Sequence, residues 1–284
     1  MTSKADSFKI CPFFLQGKAG KIFSVIYQPV MSDCKKAVLM LPPFAEEMNR
    51  SRRAMSLLAQ QLATEGVAAL ILDLYGTGDS EGDFSDGCWS IWLDDANRAL
   101  DWLIEQGFQT ISVLGVRLGA ILAAELASSA VVKLGNVVFW QPVISGQVVM
   151  TQFLRVFVTT SLHQSHRSEI NTDTLRNQLL SGDSIEVGGY ILSPILYQDI
   201  HKKTLDLDLK STLPVTWLEI SPNQSNKLSP VSQRLINEWQ NVGHIDIKII
   251  VVDGGPFWVV SEETDYAESI RKIVSVITGN DLHD

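Results

Sequence analysis

The sequence predicts a doubly wound α/β fold built on a mostly parallel sheet. Short apolar runs rich in β-branched residues alternate with helical segments along most of the chain, a pattern typical of buried parallel strands and their crossover helices. The 284 residues are 45% hydrophobic and only 19% charged, which is enough apolar material for one sizeable core. We therefore expect one main domain with an insertion.

The predicted elements follow one another in a regular order. The chain opens with a hairpin, residues 8–15 and 22–30, around the turn Gly17-Lys18-Ala19-Gly20. Further strands are predicted at 37–41, 67–72, 111–114, 137–140, 215–220 and 245–252, and helices at 50–65, 90–106, 118–128, 230–241 and 262–278. This order winds helices onto both faces of the sheet.

The regular alternation breaks between about Pro142 and Asp208. Residues 147–160 and 172–180 have helical spacing there, and no strand follows promptly. We therefore predict a core of residues 1–141 and 209–284, with residues 142–208 inserted as a helical cap.

Charge and composition exclude several kinds of partner. The net charge is -9, the pI is about 5.1 and no run of lysines or arginines is present, whereas nucleic acids and anionic membranes require a basic footprint. No apolar run approaches the ~20 residues that span a bilayer. Three widely spaced cysteines suggest neither a disulfide framework nor a zinc site, so we expect a cytoplasmic protein without a membrane span.

Three loops that follow predicted strands carry recognisable motifs. They are Leu41-Pro42-Pro43-Phe44 after the third strand, Asp73-Leu74-Tyr75-Gly76-Thr77-Gly78-Asp79-Ser80 after the fourth, and Gly115-Val116-Arg117-Leu118-Gly119 after the fifth. This order of landmarks resembles that of the α/β-hydrolase superfamily. The resemblance implies an α/β-hydrolase fold with a cap.

A narrower resemblance covers most of the chain. The stretches PPFAEEMNRSRR, DLYGTGDSEGDF, GVRLGA and EVGGYILSP resemble the second of two hydrolase-like families associated with exosortase A systems. That resemblance implies a bacterial protein encoded near exopolysaccharide production and protein-sorting functions.

The nucleophile position of the hydrolase pattern is occupied by Arg117. In a working member, Gly-x-Ser-x-Gly holds serine on a tight turn between a strand and a helix. Here Gly115 and Gly119 are in place, but a guanidinium that stays protonated cannot accept an acyl group as serine does. The two glycines of the pattern are therefore present, but the serine nucleophile is absent from this position.

The other two triad positions also carry residues without catalytic groups. The stretch SNKLSPVSQ places Asn226 where the acid is expected, and VVDGGPFW places Pro256 where the histidine is expected. Losing serine or histidine from a protease triad costs on the order of 10⁶ in kcat. The sequence therefore disfavours conventional Ser-His-Asp hydrolysis. Ser80 also fits Gly-x-Ser-x-Gly, but the turn-rich stretch after it cannot begin a helix directly.

Three roles remain open for Arg117. A carboxylate from Glu46 or Glu47 in the loop after the third strand can pair with it and fill the old active site. Alternatively, its planar fork can bind an anionic small molecule, with Phe44 and the backbone of Leu118 as further ligand contacts. In the third role, Glu46 or Glu47 activates water while Arg117 polarises a substrate.

No cofactor or metal site is predicted. His163 and His166 have a spacing that fits a metal on one helical face, but no third ligand is evident, and a polar cap surface explains them. Two function classes follow, a hydrolase with a non-standard centre and a degenerate hydrolase that binds an anionic ligand or a protein partner in exopolysaccharide production.

Overall fold

The computed structural model describes residues 7–30, 33–162, 171–207, 213–221, 227–242, 247–259 and 266–280. Its main sheet has eight strands in the order β1-β2-β4-β3-β5-β6-β9-β10. Their bounds are β1 Phe8–Gln16, β2 Lys21–Pro29, β3 Lys36–Leu41, β4 Ala68–Leu72, β5 Thr110–Val116, β6 Val137–Trp140, β9 Val215–Ser221 and β10 Ile247–Asp253.

The sheet is parallel except at one edge. Strand β2 pairs antiparallel with both β1 and β4, whereas β4, β3, β5, β6, β9 and β10 pair in parallel. The described residues of β6 and β9 are buried throughout, as expected for strands covered on both faces. The predicted mostly parallel sheet is confirmed.

Helices cover both faces of the sheet. They are α1 Glu46–Thr64, α2 Trp89–Glu105, α3 Gly119–Ser129, α7 Pro230–Val242 and α8 Ala267–Thr278. Helices α1 and α8 pack on the face of the sheet that carries Val38, and α2, α3 and α7 pack on the face that carries Leu39. Because successive strand residues point to opposite faces, the core forms two apolar layers around the sheet.

The segment 142–208 departs in part from its prediction. It contains the two expected helices, α4 Gly146–Leu162 and α5 Thr172–Ser181, and also a third helix, α6 Pro194–His201. An antiparallel hairpin of β7 Ile185–Val187 and β8 Tyr190–Leu192 lies between α5 and α6. The two predicted helices are present, and the hairpin and α6 were not predicted, because strands of three residues are too short to show a period. We propose that this segment is the cap.

Candidate functional site

Arg117 lies in the tight turn that joins β5 to α3. Its φ is 53°, in the left-handed region that non-glycine residues rarely adopt and that costs about 1–3 kcal/mol. A Cβ at Gly115 would lie 2.3 Å from the Gly119 carbonyl oxygen, and one at Gly119 would lie 2.4 Å from that of Leu41. The two glycines therefore permit the close approach of α3 that holds this turn.

The guanidinium of Arg117 is paired with one carboxylate. Its Nη2 donates to Oε1 of Glu47 at 3.0 Å, and its Nε lies 3.4 Å and 3.3 Å from Oε1 and Oε2. The arginine side chain is 10% exposed and that of Glu47 is 26% exposed. Among the described residues, no acceptor contacts Nη1 of Arg117, so this end of the fork keeps its donors.

Trp258 adds a second contact to Arg117. The Arg117 Cζ lies 4.6 Å from the centroid of the indole ring, which is a cation–π distance. Trp258 follows β10 and is half-buried, whereas Pro256, two residues earlier, is exposed. The loop after the last strand therefore meets Arg117 through Trp258, a residue that sequence reasoning missed.

Glu46 makes a separate set of contacts beside the pair. Its Oε1 lies 3.3 Å from Nε of Arg50, and its Oε2 accepts from Asn49 at 3.2 Å and from the Tyr190 hydroxyl at 3.4 Å. Asn49 also donates to the Tyr190 hydroxyl at 2.9 Å. Burial, followed by the charge of Glu46, raises the pKa of Tyr190. The structure thus brings Glu47, and not Glu46, to Arg117.

A cavity of about 630 Å³ lies against these residues. Residues from α1, the β5–α3 turn, α4, the β7–β8 hairpin and the loop after β10 form its walls. The walls consist of Phe44, Glu46, Glu47, Arg50, Arg117, Val149, Gln152, Phe153, Val187, Gly188, Tyr190, Trp258 and Val259. Arg50 also donates to the carbonyl of Val259. Apolar side chains and two pairs of opposite charges therefore line a space of small-molecule size.

The two predicted ligand contacts differ in their position. Phe44 lines the cavity and is itself 5% exposed. Leu118 is the N-cap of α3 and is buried, and it is not among the described residues that line the cavity. The predicted ligand contact of Leu118 therefore stays a prediction, and it concerns only the backbone N–H. This N–H has no acceptor within the helix.

Ser80 belongs to a different network. Its hydroxyl donates to the Asp73 carbonyl at 2.6 Å and accepts from the Phe23 backbone N–H at 2.8 Å. The Asp73 carboxylate accepts from Arg52 at 2.9 Å and from the Asp79 N–H at 3.0 Å. These bonds shape the loop after β4, so Ser80 has a structural role. Asn226, His163 and His166 lie outside the described residues.

The sequence matches a family of hydrolases, in agreement with the α/β-hydrolase arrangement of strands and helices described above. Residues 21–225, well over half of the chain, match the model of the X-Pro dipeptidyl-peptidase family, the S15 family. The chain belongs to this family. Family membership and the structural neighbours below place it in the α/β-hydrolase superfamily, so the predicted superfamily and fold are confirmed.

Solved hydrolase structures share the fold of this X-Pro dipeptidyl-peptidase family member. Est1E from Butyrivibrio proteoclasticus, with ferulic acid bound, has a TM-score of 0.64 and 14% identity over 94% of this chain and 96% of its own. An esterase of Pyrococcus furiosus has a TM-score of 0.62 and 15% identity over 98% and 94%. A monoglyceride lipase variant from Saccharomyces cerevisiae has a TM-score of 0.61 and 12% identity over 93% and 94%.

No curated protein sequence matches this family member. None of the helices in the described part of the chain is long and apolar enough to cross a membrane. Within the described ranges, no group of three or more His, Cys, Asp or Glu side chains is placed to hold a metal ion.

Proposed function

We propose that this hydrolase-family chain has a degenerate triad and that its cavity binds the carboxylate of a largely apolar acid through Arg117. The observation that carries the proposal is the Arg117 guanidinium in the cavity wall, held by Glu47 and Trp258 at a turn where related enzymes place serine. Glu47 occupies Nε and Nη2, while Nη1 keeps donors for a second acceptor.

The degenerate triad is supported by the residues at the nucleophile turn and in the loop after the last strand. Arginine offers no nucleophile at the turn, and Ser80 is hydrogen-bonded within another loop. Trp258 lies over the guanidinium, and an indole N–H cannot act as a base. Esterases and peptidases release a carboxylic acid as product, so a binder derived from such an enzyme has reason to retain acid recognition without bond cleavage.

The cavity composition narrows the ligand. Glu46 and Glu47 balance Arg50 and Arg117 among the described lining residues, so this part of the cavity wall has no net charge to attract a polyanion. One carboxylate with an apolar body fits this balance better than a phosphorylated sugar does. Among the anionic ligands predicted from the sequence, we therefore propose a monocarboxylic acid.

Binding of simple acids tests the proposal. Isothermal titration calorimetry with ferulate and octanoate, one aromatic and one aliphatic acid, is expected to show binding of at least one of them. Arg117→Met is expected to weaken that binding about 10- to 100-fold, because a charge-assisted hydrogen bond contributes about 1.5–3 kcal/mol. Arg98→Met, at a surface arginine paired with Glu105, serves as the control and leaves the affinity unchanged.

Two assays address catalysis in the same protein. A fluorophosphonate probe is expected to leave the chain unlabelled, because labelling requires an activated serine. Labelling at Ser80 would overturn the degenerate triad. Hydrolysis of p-nitrophenyl butyrate that disappears in Glu47→Gln would instead assign Glu47 as a general base acting on water, the second function that its place in the cavity wall favours.

We further propose that the protein acts in the cytoplasm of a bacterium, in an exopolysaccharide system associated with exosortase A. The family-like stretches PPFAEEMNRSRR and DLYGTGDSEGDF support this proposal. Deletion of the gene is expected to lower exopolysaccharide yield in the source bacterium. Complementation with the wild type should restore the yield, and complementation with Arg117→Met should not. Equal restoration by both would show that the role in exopolysaccharide production does not depend on acid binding by Arg117.

A further inference from the structure

Four aromatic rings form a connected group beside the cavity, here called the aromatic wall. Phe44 packs edge-on against Phe153 with centroids 5.1 Å apart, and Phe84 against Tyr190 at 4.9 Å. Phe44 and Phe84 are 5.4 Å apart, and Phe153 and Tyr190 are 6.3 Å apart. These distances are within the range of favourable aromatic pairs, so the wall is one packed unit.

Three members of the aromatic wall also line the cavity. Phe44, Phe153 and Tyr190 do so, and Phe153 and Tyr190 are only half-buried. Trp258, the ring over Arg117, is a further aromatic residue in the lining. Aromatic surface therefore remains available within the same cavity as the carboxylate-binding group.

Tyr190 is the member of the wall that is held by hydrogen bonds as well as by ring contacts. Its hydroxyl accepts from Asn49 and donates to Glu46, while its ring contacts Phe84 and Phe153. It begins β8, immediately after Gly188 and Gly189, which both have positive φ. A ring held by its hydroxyl and by two neighbouring rings presents a pre-organised surface to a ligand.

We infer that the cavity selects aromatic over saturated carboxylic acids and that Tyr190 is the residue that sets this selectivity. The inference rests on the proposed function, because Arg117 supplies the common carboxylate contact. A ligand ring in this cavity adds edge-to-face contacts to the wall, which a saturated ring of similar size cannot make.

The test compares two acids that differ only in the ring. Calorimetric Kd values for 3-phenylpropanoate and 3-cyclohexylpropanoate are expected to favour the aromatic acid by about 3- to 10-fold in the wild type. Tyr190→Leu should lower this ratio. Tyr190→Phe keeps the ring and should keep the ratio. Ile191→Ala, at an exposed neighbour on the same strand, is the matched control and should also keep it.

Arg117→Met separates the inference from the proposed function. It should weaken both acids by a similar factor. Equal affinity for the two acids in the wild type, together with a loss of both in Arg117→Met, overturns the inference and leaves the proposed function standing. Failure of both acids to bind, or binding that is unaffected by Arg117→Met, overturns the proposed function and with it the inference. A ratio that persists in Tyr190→Leu overturns the role of Tyr190.

Discussion

Arg117 and Glu47 form an ion pair that joins the β5–α3 turn to the first turn of α1, with Nη2 and Oε1 3.0 Å apart. The carboxylate offsets an arginine at the N-terminus of α3, where the helix dipole disfavours positive charge. Glu47 itself lies at the N-terminal end of α1, where the dipole favours a negative charge. The pair therefore suits the charge distribution of both helix ends.

A double-mutant cycle measures this pair. Glu47→Gln and Arg117→Met are each expected to lower the free energy of unfolding by about 1–3 kcal/mol, since each leaves a partly desolvated partner without its counter-charge. The coupling energy from urea unfolding of the two single variants and the double variant should be about 1–2 kcal/mol. The exposed pair of Asp33 and Lys35, with side chains 85% and 51% exposed, provides the control cycle.

The control cycle, Asp33→Asn with Lys35→Met, should give a coupling of about 0.5 kcal/mol or less because water screens exposed charges. If the two cycles gave the same coupling, the Arg117–Glu47 pair would be an ordinary surface pair. It would then have no special role in holding the guanidinium.

Glycine substitutions test the close approach of α3. A Cβ at Gly119 would lie 2.4 Å and 2.6 Å from the backbone oxygens of Leu41 and Pro42, which cannot move without displacing β3. We expect Gly119→Ala to destabilise the fold by roughly 3 kcal/mol or more in urea unfolding. Gly107→Ala serves for comparison, because Gly107 has a φ of 86° and open space around it, so strain alone should cost about 1–2 kcal/mol. Unchanged stability in Gly119→Ala would contradict the steric role of this glycine.

Most of the fold follows from the sequence pattern. Buried parallel strands are continuous apolar runs, and this signal is strong enough that β6 was predicted at its observed bounds, Val137–Trp140. The Gly115 and Gly119 frame likewise predicted a tight turn at Arg117, and the structure confirms its left-handed backbone. At these positions the local sequence pattern and the three-dimensional structure indicate the same element.

The start of α1 lacks the usual N-cap signal, and it was predicted too late. The helix begins at Glu46, four residues before the predicted start at residue 50, after an N-cap Ala45 that has φ 51° and no side-chain cap. Helix starts are usually marked by Ser, Thr, Asp or Asn at the N-cap, whereas here the sequence offers only the acidic residues Glu46 and Glu47 in the first turn. The early start determines the site, because adjacent helical residues point in different directions and Glu47, not Glu46, reaches Arg117.

Two further contributors to the site were missed for different reasons. Tyr190 enters through the β7–β8 hairpin, whose strands are too short to show alternation, although the Gly188-Gly189 pair is a known turn signal. Trp258 reaches Arg117 through the course of the loop after β10, which no motif encodes. Tertiary contacts, and not the local sequence, bring these two residues into the site.

The buried carboxyl of Asp95 predicts a pH dependence of stability. Burial is the main cause that raises its pKa from 3.8 to about 6, while the hydrogen bond from the Tyr75 N–H opposes the shift. The folded state therefore holds this proton more tightly than the unfolded state. The protonated carboxyl of Asp95 therefore stabilises the fold fully below about pH 4, and this stabilisation is lost as the pH rises through 6.

Urea unfolding between pH 4 and pH 7 checks this prediction. The wild type should lose roughly 2–3 kcal/mol relative to Asp95→Asn, which does not titrate. Asp94→Asn should keep most of the difference, because the charge of Asp94 is the smallest cause of the shift. Parallel stability curves for the wild type and Asp95→Asn would contradict the raised pKa.

Hydrogen exchange tests whether residues 142–208 form a separate cap. Glu125 of α3 accepts from Lys203 at 2.8 Å and from the Trp89 indole N–H at 2.8 Å, and Lys203 follows α6 at the end of this segment. The carboxylate therefore links the segment to the core helices α2 and α3. We expect Glu125→Ala to increase exchange in α6, residues 194–201, while β5, residues 110–116, keeps its protection.

The comparison variant for this prediction is Glu105→Ala. Glu105 pairs with Arg98 on the surface of the core helix α2, with its side chain 57% exposed, so its loss should leave exchange in α6 unchanged. If Glu125→Ala lowered protection equally in α6 and β5, the segment and the core would open as one cooperative unit. The proposed boundary at residues 141–142 would then have no energetic meaning, and the β7–β8 hairpin would belong to the same rigid body as Arg117.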